Sequence, residues 1–393
     1  SETAFSLNTR CFEAGVQSFS RVLDAIENGA QNAEAQDLSQ RSYFGLAKRP
    51  ENHGFIDHTH IAAEAVRLVR ALDHGPYWNP LCTAKLRIGS NVLHIGSAEL
   101  DAFPSTRAGE VLALGEDTLT LGFSDGAVRF TGVTGDLASV SIGDMAALQT
   151  LSTNAAAHLG RAAKEDAFWR NRLQELQPCA LPLEQVSTAS GWNIHEIETA
   201  HTEFLAEALS VLAKQMTGAA CDVAFGVEPE TPLIAPWVPL REMSERETLA
   251  GKGGFAADLL VRDSALAQIQ VPALGLSESA AIEGTAATLV GCALHFNAAR
   301  LTEAGAELLA ARLAHVAEHL SRNVAPQDIP ALPASELALL QSWNNTETPF
   351  SSTCLPQLIE AQVAKTPDQV AVVVEDKSLT YAELNAAANQ AAH

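Results

Sequence analysis

Histidines at short spacing are the first groups in this sequence that could hold a metal or move a proton. His58 and His60 stand at i and i+2 in IDHTH. Two side chains so spaced at a helix start do not share a face. His315 and His319 stand at i and i+4 in HVAEH, with Glu318 between them. A zinc-protease helix needs the acid second, as HExxH, so an exposed helix face is the simpler reading. His158, in NAAAHLGRA, is a lone helix histidine. Gly251-Lys252-Gly253-Gly254 has the residues of a phosphate loop but not the GxxxxGK[ST] spacing, and reads as a turn. Ser187, Ser190, Ser351 and Ser352 lack a GxSxG elbow. Glu242, Glu245 and Glu247 read as a solvated helix start. Six cysteines are scattered without a CxxC pair, as reduced thiols of the cytosol would be.

The elements that must position these groups follow from patterning. The 393 residues exceed one compact core and point to two or three domains. A formal charge of −22, from 25 basic and 47 acidic residues, opposes nucleic acid as a partner. No apolar run of about eighteen residues exists, so no membrane span is expected. The first residues, SETAFSLNTRCFEAG, have neither a basic head nor an apolar core, so no leader is expected there. A cytoplasmic location follows.

Residues 4–28 show helical spacing of Phe5, Leu7, Phe12, Val16, Phe19, Leu23 and Ile26, closed by Asn28-Gly29. Asp57 is placed to cap a second helix through Ala62, Val66, Val69 and Leu72. Five strand-like runs follow: 84–88, 92–98, 109–114, 118–123 and 127–133. Ser124-Asp125-Gly126 is a hairpin turn, and the set points to a small barrel. Residues 141–161 read as an alanine-rich helix. Phe168, Trp169, Leu173 and Leu176 then form an apolar stripe, and a further helix is expected at 203–216. Trp78 in PYWNP and Trp237 in APWVP are aromatics bracketed by proline, packed at domain edges or offered to a partner surface.

Three stretches resemble known families. ELALLQSWNNTETPF, followed by LIEAQVAKTPDQVAVV and LTYAELNAAANQ, resembles the linker between the condensation and adenylation domains of nonribosomal peptide synthetases. The resemblance implies that Trp343, Asn344, Pro349, Phe350, Leu358 and Ile359 form the linker and its interface. Trp343 and Phe350 would pin an extended linker. Residues 3–137 resemble the end of the formyltransferase family, with RALDHGPYWNP, GEVL and SDGAVRF in order. Residues 160–334 resemble the second half of a condensation domain. The matching segments there are AFWRNRLQEL, TPLIAPWVPLRE, LVGCALHFNAARL and LTEAGAELLAARLAHVAEHL.

The implied fold class is α+β: a small antiparallel OB-like β-barrel, then the C-terminal lobe of a condensation domain, chloramphenicol acetyltransferase-like. The implied parts are 1–50 as the end of a formyltransferase catalytic domain, 51–140 as the OB-like domain and 141–164 as a connecting helix. Then come 165–334 as the condensation-like lobe, 335–356 as the linker and 357–393 as the start of an adenylation domain. Neither the asparagine–histidine–aspartate set of formyltransferases nor the HHxxxDG of condensation domains is present. The expectation is therefore a chain that is not an enzyme and needs no cofactor. It would position adenylation and carrier domains and dock a tailoring oxygenase, such as a β-hydroxylase. The alternative is the C-terminal part of an active N-formylating domain using 10-formyltetrahydrofolate.

Overall fold

A computed structural model describes residues 2–30, 35–50, 52–103, 107–349 and 352–392. The chain divides into two units, Ser1–Pro333 and Ala334–His393.

In the first unit, helix α1 spans Ala4–Glu27 and is capped by Thr3, whose hydroxyl accepts from the Ser6 amide at 3.1 Å. It ends at Asn28 and Gly29, as the sequence indicates. Its start is anchored: the Phe5 amide donates to the Asp73 carbonyl at 2.9 Å, and the Phe5 and Tyr77 rings lie 5.6 Å apart. Helix α2, Ala62–Leu72, buries Ala62, Ala65, Val66, Val69 and Leu72, one face at helical spacing. Asp57 does not cap it. Its carboxylate closes a local turn on the Thr59 amide at 2.8 Å, and the helix starts later, after Ile61. The cap comes from Asp125 in the distant hairpin turn, which accepts from the Ala62 amide at 2.8 Å.

Six strands rather than five follow: β1 Ala84–Ile88, β2 Asn91–Ile95, β3 Ser97–Asp101, β4 Val111–Leu114, β5 Thr118–Phe123 and β6 Gly126–Thr131. They form two open sheets, β1-β2 and β3-β6-β5-β4, where a barrel was expected. The 92–98 run breaks at Gly96, where a Cβ would sit 3.1 Å from the Thr131 carbonyl oxygen. The chain therefore leaves one sheet for the other there. An isolated bridge from His94 to Thr134 links β2 to the segment after β6, but among the described residues no continuous ladder closes the ring. Both sheets and α2 share one core, with Leu86, Leu93, Leu119, Leu121, Phe123 and Phe130 fully buried.

No helix forms at 141–152. Bridges from Ala146 to Ile88 and from Met145 to Glu110 hold this segment against the sheets, and Gly143 has φ +93°. Helix α3 starts after the Ser152 cap and runs unbroken over Thr153–Gln174. Beyond it stand β7 Trp192–Glu196, α4 Leu205–Thr217, β8 Val223–Gly226, β9 Trp237–Leu240, α5 Arg246–Lys252 and α6 Leu259–Arg262. β10 Leu274–Ser277, β11 Ala287–Val290, β12 Ala293–Asn297 and α7 Glu303–Ser321 complete the unit. The strands make one mixed sheet in the order β7-β12-β11-β10-β8-β9. β10 is parallel to β8 and β11, and the other pairs are antiparallel. Pro239, which has no amide to donate, sits in the edge strand β9. Helices α3, α4 and α7 supply Trp169, Leu209 and Leu313 to the core of this sheet.

The second unit holds α8 Ala334–Asn344, α9 Leu355–Lys365, the hairpin β13 Val370–Val374 and β14 Lys377–Thr380, and α10 Tyr381–Ala392. Thr380 and Glu383 form a reciprocal cap at the start of α10, with Thr380 N–H to Glu383 Oε2 at 2.9 Å and Glu383 N–H to Thr380 Oγ1 at 3.2 Å. Mixed α and β structure is thus observed throughout, and no described helix is long and apolar enough to cross a membrane.

Candidate functional site

The densest buried chemistry lies where the small sheets meet the six-stranded sheet within the first unit. It begins with Gly54, at φ +85°. A Cβ there would lie 2.1 Å from the Thr83 carbonyl oxygen, so only glycine lets residues 52–56 run against β1. The Lys85 amide then donates to the Gly54 carbonyl at 2.8 Å. Strand alternation sends Leu86 into the core and Lys85 to the opposite side, toward the junction. Lys85 Nζ is fully used there. It donates to the His53 carbonyl at 2.9 Å, the Thr83 carbonyl at 3.1 Å and Asp258 Oδ2 at 2.7 Å.

Asp258 precedes α6, and one helical turn brings Arg262 beside it, with Nε 3.0 Å from Oδ1. Arg262 also grips Asp166 of α3 with two nitrogens at 3.0 Å and donates to the Asn79 carbonyl at 2.9 Å. Arg49 completes the set, with Nη2 2.9 Å from Asp166 Oδ2. Side chains from four separate segments are thus locked together. Burial opposes ionisation of Asp258, but Lys85 and Arg262 outweigh it and hold the carboxyl well below the usual carboxylate range. Burial pushes the Asp166 carboxyl up, against the pull of Arg262 and Arg49. Burial also pushes the Cys82 thiol up to about 11.

Two imidazoles line the same place. Burial, reinforced by Lys85, lowers both His53 and His94, His94 to about 4. Nδ1 of His94 lies 2.8 Å from Thr83 Oγ1. The cavity these groups surround is about 70 Å³. That is room for water and far below the several hundred Å³ of a ligand site. The arrangement therefore fastens parts of the fold and does not enclose a substrate. An apolar seam runs beside it, made by Phe55, Leu159, Ala162, Leu233 and Ile234.

Because the folded state keeps His94 neutral, it binds fewer protons than the unfolded chain between pH 6.5 and about 4. Stability should therefore fall on acidification through that window. His94 is part-exposed, so a loss of about 1–2 kcal/mol between pH 7 and pH 5 is expected. Urea titrations at the two pH values should show it, and His94→Asn should reduce the difference to the part left by His53 and His74.

The residues singled out from sequence fall in several places. Trp237 is only 4% exposed, edge-on to Phe255 at 5.8 Å, so it is core and not a partner surface. Trp78 is half-buried, with the guanidiniums of Arg170 and Arg262 each 4.8 Å from its ring centre. It belongs to the junction for the same reason of enclosure. In the second unit Trp343 lies on α8 and is 65% exposed. Asn344 ends that helix, its Nδ2 donating to the Leu340 carbonyl at 2.9 Å. Pro349 is exposed outside any element, and Phe350 lies outside the described residues. Leu358 and Ile359 are neighbours on α9, both exposed.

The histidine and glycine motifs also resolve. His58 is buried against Gly109, where a Cβ would come within 2.7 Å of its ring, while His60 faces solvent beside Glu64. His315 Nε2 lies 3.0 Å from the Pro330 carbonyl oxygen, and His319 Nδ1 lies 2.9 Å from that of His315. The glycines after Lys252 are the left-handed C-cap of α5, and Lys252 pairs with Glu165 at 2.6 Å. Glu245 is not merely solvated, since it pairs with Arg172 at 2.6 Å. Among the described residues no group of three or more His, Cys, Asp or Glu could hold a metal ion.

Comparison with known proteins places part of this chain in context. No family model matches. A linear gramicidin synthase polypeptide of Brevibacillus parabrevis is 43% identical over 72 residues, 17% of this chain and 1% of that protein. Malpinin synthetase of Mortierella alpina is 53% identical over 64 residues, 16% of this chain and 1% of that protein. The chain thus spans about one hundredth of the length of these curated relatives. A four-domain nonribosomal peptide synthetase solved with AMP and glycine is similar at a TM-score of 0.40 and 13% identity, over 56% of this chain and 24% of that one. A stretch of 64 to 72 residues of this chain is thus similar in sequence to these synthase and synthetase polypeptides. That overturns the expectation, drawn from missing motifs, that the chain is not an enzyme: the relatives that share its sequence are synthetases.

Proposed function

We propose that this chain is a positioning and docking region of a nonribosomal peptide synthetase. It holds the adenylation and carrier domains of the same synthetase and presents a surface to a tailoring oxygenase, a β-hydroxylase by preference, that acts on the carrier-bound amino acid. The observation that carries this reading is the junction at Asp258. Lys85, Arg262, Asp166 and Arg49 fix two β-regions against each other around a cavity too small for a substrate. A fixed relation between two regions is what a docking platform requires, because a partner surface spanning both keeps its shape. The finer division of residues 1–140 as formyltransferase-like, 165–334 as condensation-like and 335–356 as a linker is part of the same proposal. So is the assignment of Trp343, Asn344, Pro349, Phe350, Leu358 and Ile359 to the linker interface.

The test uses the whole parent synthetase with its carrier loaded and the oxygenase supplied. Removing residues 1–333 should leave adenylation and loading within about twofold and cut hydroxylation of the carrier-bound amino acid at least ~10-fold. Unchanged hydroxylation removes the docking role.

A further inference from the structure

The junction at Asp258 is not electrically neutral. Lys85, Arg262 and Arg49 bring three positive charges into it, and Asp258 and Asp166 bring two negative ones. Each of these side chains is at most 10% exposed. The next pair outward, Arg170 with Asp263, cancels itself. The other titratable groups lining the cavity add nothing to the sum at pH 7. Burial, reinforced by Lys85, lowers His53 and His94, and burial pushes the Cys82 thiol up. One positive charge is therefore left over among the described residues. A buried charge without a counter-charge is costly to keep ionised. The surplus can be placed. The hydrogen bonds of Lys85 Nζ and of the Arg262 guanidinium are spent on neighbouring oxygens. Arg49 spends Nη1 on the Leu46 carbonyl and Nη2 on Asp166, and a guanidinium has further N–H groups to give. His94 has Nδ1 engaged by the Thr83 hydroxyl, so Nε2 is the nitrogen it keeps for the cavity.

We propose that the cavity between Arg49 and His94 is a binding site for one chloride ion. One unit of surplus charge calls for a monovalent anion. The cavity of about 70 Å³ has room for a particle the size of a water molecule, which chloride approximates. Arg49 supplies the charge and an N–H donor, and His94 supplies Nε2–H. The Thr83 hydroxyl donates to Nδ1 in this arrangement, which puts the ring hydrogen on Nε2. A water molecule would satisfy the same donors but leave the charge unmet. The net charge of −22 opposes an entering anion. Exposed charges beyond about 8 Å are screened by salt, however, and the buried set beside the cavity is screened much less. The site does not depend on the docking role proposed above.

Urea unfolding of the full 393-residue chain at pH 7 tests this, with chloride replaced stepwise by gluconate at fixed ionic strength. For a dissociation constant of about 10 mM, chloride at about 200 mM should lower the unfolding constant ~20-fold. Arg49→Met removes the surplus charge and leaves Asp166 paired with Arg262. Its unfolding constant should change less than about 2-fold over the same series. A second measurement stands whether or not that variant folds. Crystals of the unaltered chain grown in sodium bromide should show an anomalous peak beside Arg49 and His94. A chain equally stable in chloride and in gluconate overturns the proposal and leaves the cavity to water. So does a folded Arg49→Met variant that still responds to chloride, or a cavity that takes up no bromide.

Discussion

Asp258→Ala should lower the unfolding free energy of the first unit by about 3–5 kcal/mol, read from urea unfolding followed by tryptophan fluorescence. The size comes from what is left behind. Asp258 is buried, and its two oxygens receive Lys85 Nζ, Arg262 Nε and the Thr83 amide. Truncation strands a buried ammonium without its counter-charge, and a buried guanidinium with one partner fewer. The intact network need contribute little net stability, because removing its charges from water costs about as much as their attraction returns. The cost of removing one member therefore overstates the worth of the set. A double substitution, Asp258→Leu with Lys85→Met, should accordingly recover a large part of the loss. If it is instead as unstable as the single variant, the network's own attraction and not the stranded charge accounts for the effect. The pH dependence has a defined sign. The folded carboxyl titrates below its unfolded value of about 4, so its contribution is complete above that pH and erodes as pH falls further. Between pH 5 and 7 Asp258 contributes no change, so a slope there reports His94 and the other histidines whose folded titration burial lowers, His53 and His74.

The elements that local pattern can fix were legible. Helix α2 shows its buried stripe in the spacing of Val66, Val69 and Leu72, and strands β1 and β5 lie where β-branched and apolar runs place them. What local pattern cannot show are contacts made by residues far apart in sequence. Lys85 in AKLRI reads as one polar position of a half-exposed strand. Its burial depends on Asp258, 173 positions away. The cap of α2 is hidden for the same reason, since Asp125 belongs to a hairpin turn 63 positions later and Asp57 is nearer in sequence. One signal was available: Asp258 and Arg262 stand at i and i+4 in ADLLVR, a pair that helical geometry brings together. Residues 141–152 misled because alanine and methionine favour a helix only when no sheet edge competes for their backbone groups, and here two bridges do. Trp237 misled because flanking prolines look like a surface turn. In an edge strand, however, a proline only forgoes a ladder bond, and the side chains can still face the core.

Trp169→Ala should cost about 3–5 kcal/mol, as removal of a large buried aromatic does. The residue is completely buried on α3 and lies 5.0 Å from Phe168 edge-on and 6.0 Å from Phe255, which in turn meets Trp237. This aromatic chain joins α3 to the sheet core. Three residues earlier the same helix carries Asp166, the anchor of Arg262 and Arg49. The core contact and the ionic junction are thus two attachments of one helix. Trp169 also carries a penalty of its own, since its buried indole N–H finds no acceptor among the described residues. Trp169→Phe keeps most of the packing and removes that unmet donor, so it should cost no more than about 1.5 kcal/mol. The ordering of the two variants in urea midpoint is the measurement. If phenylalanine proves as damaging as alanine, the indole is bonded in solution or the site cannot close around a smaller ring. If both are harmless, α3 is held chiefly by Asp166, and the loss on Asp258→Ala should then be larger still in the Trp169→Phe background.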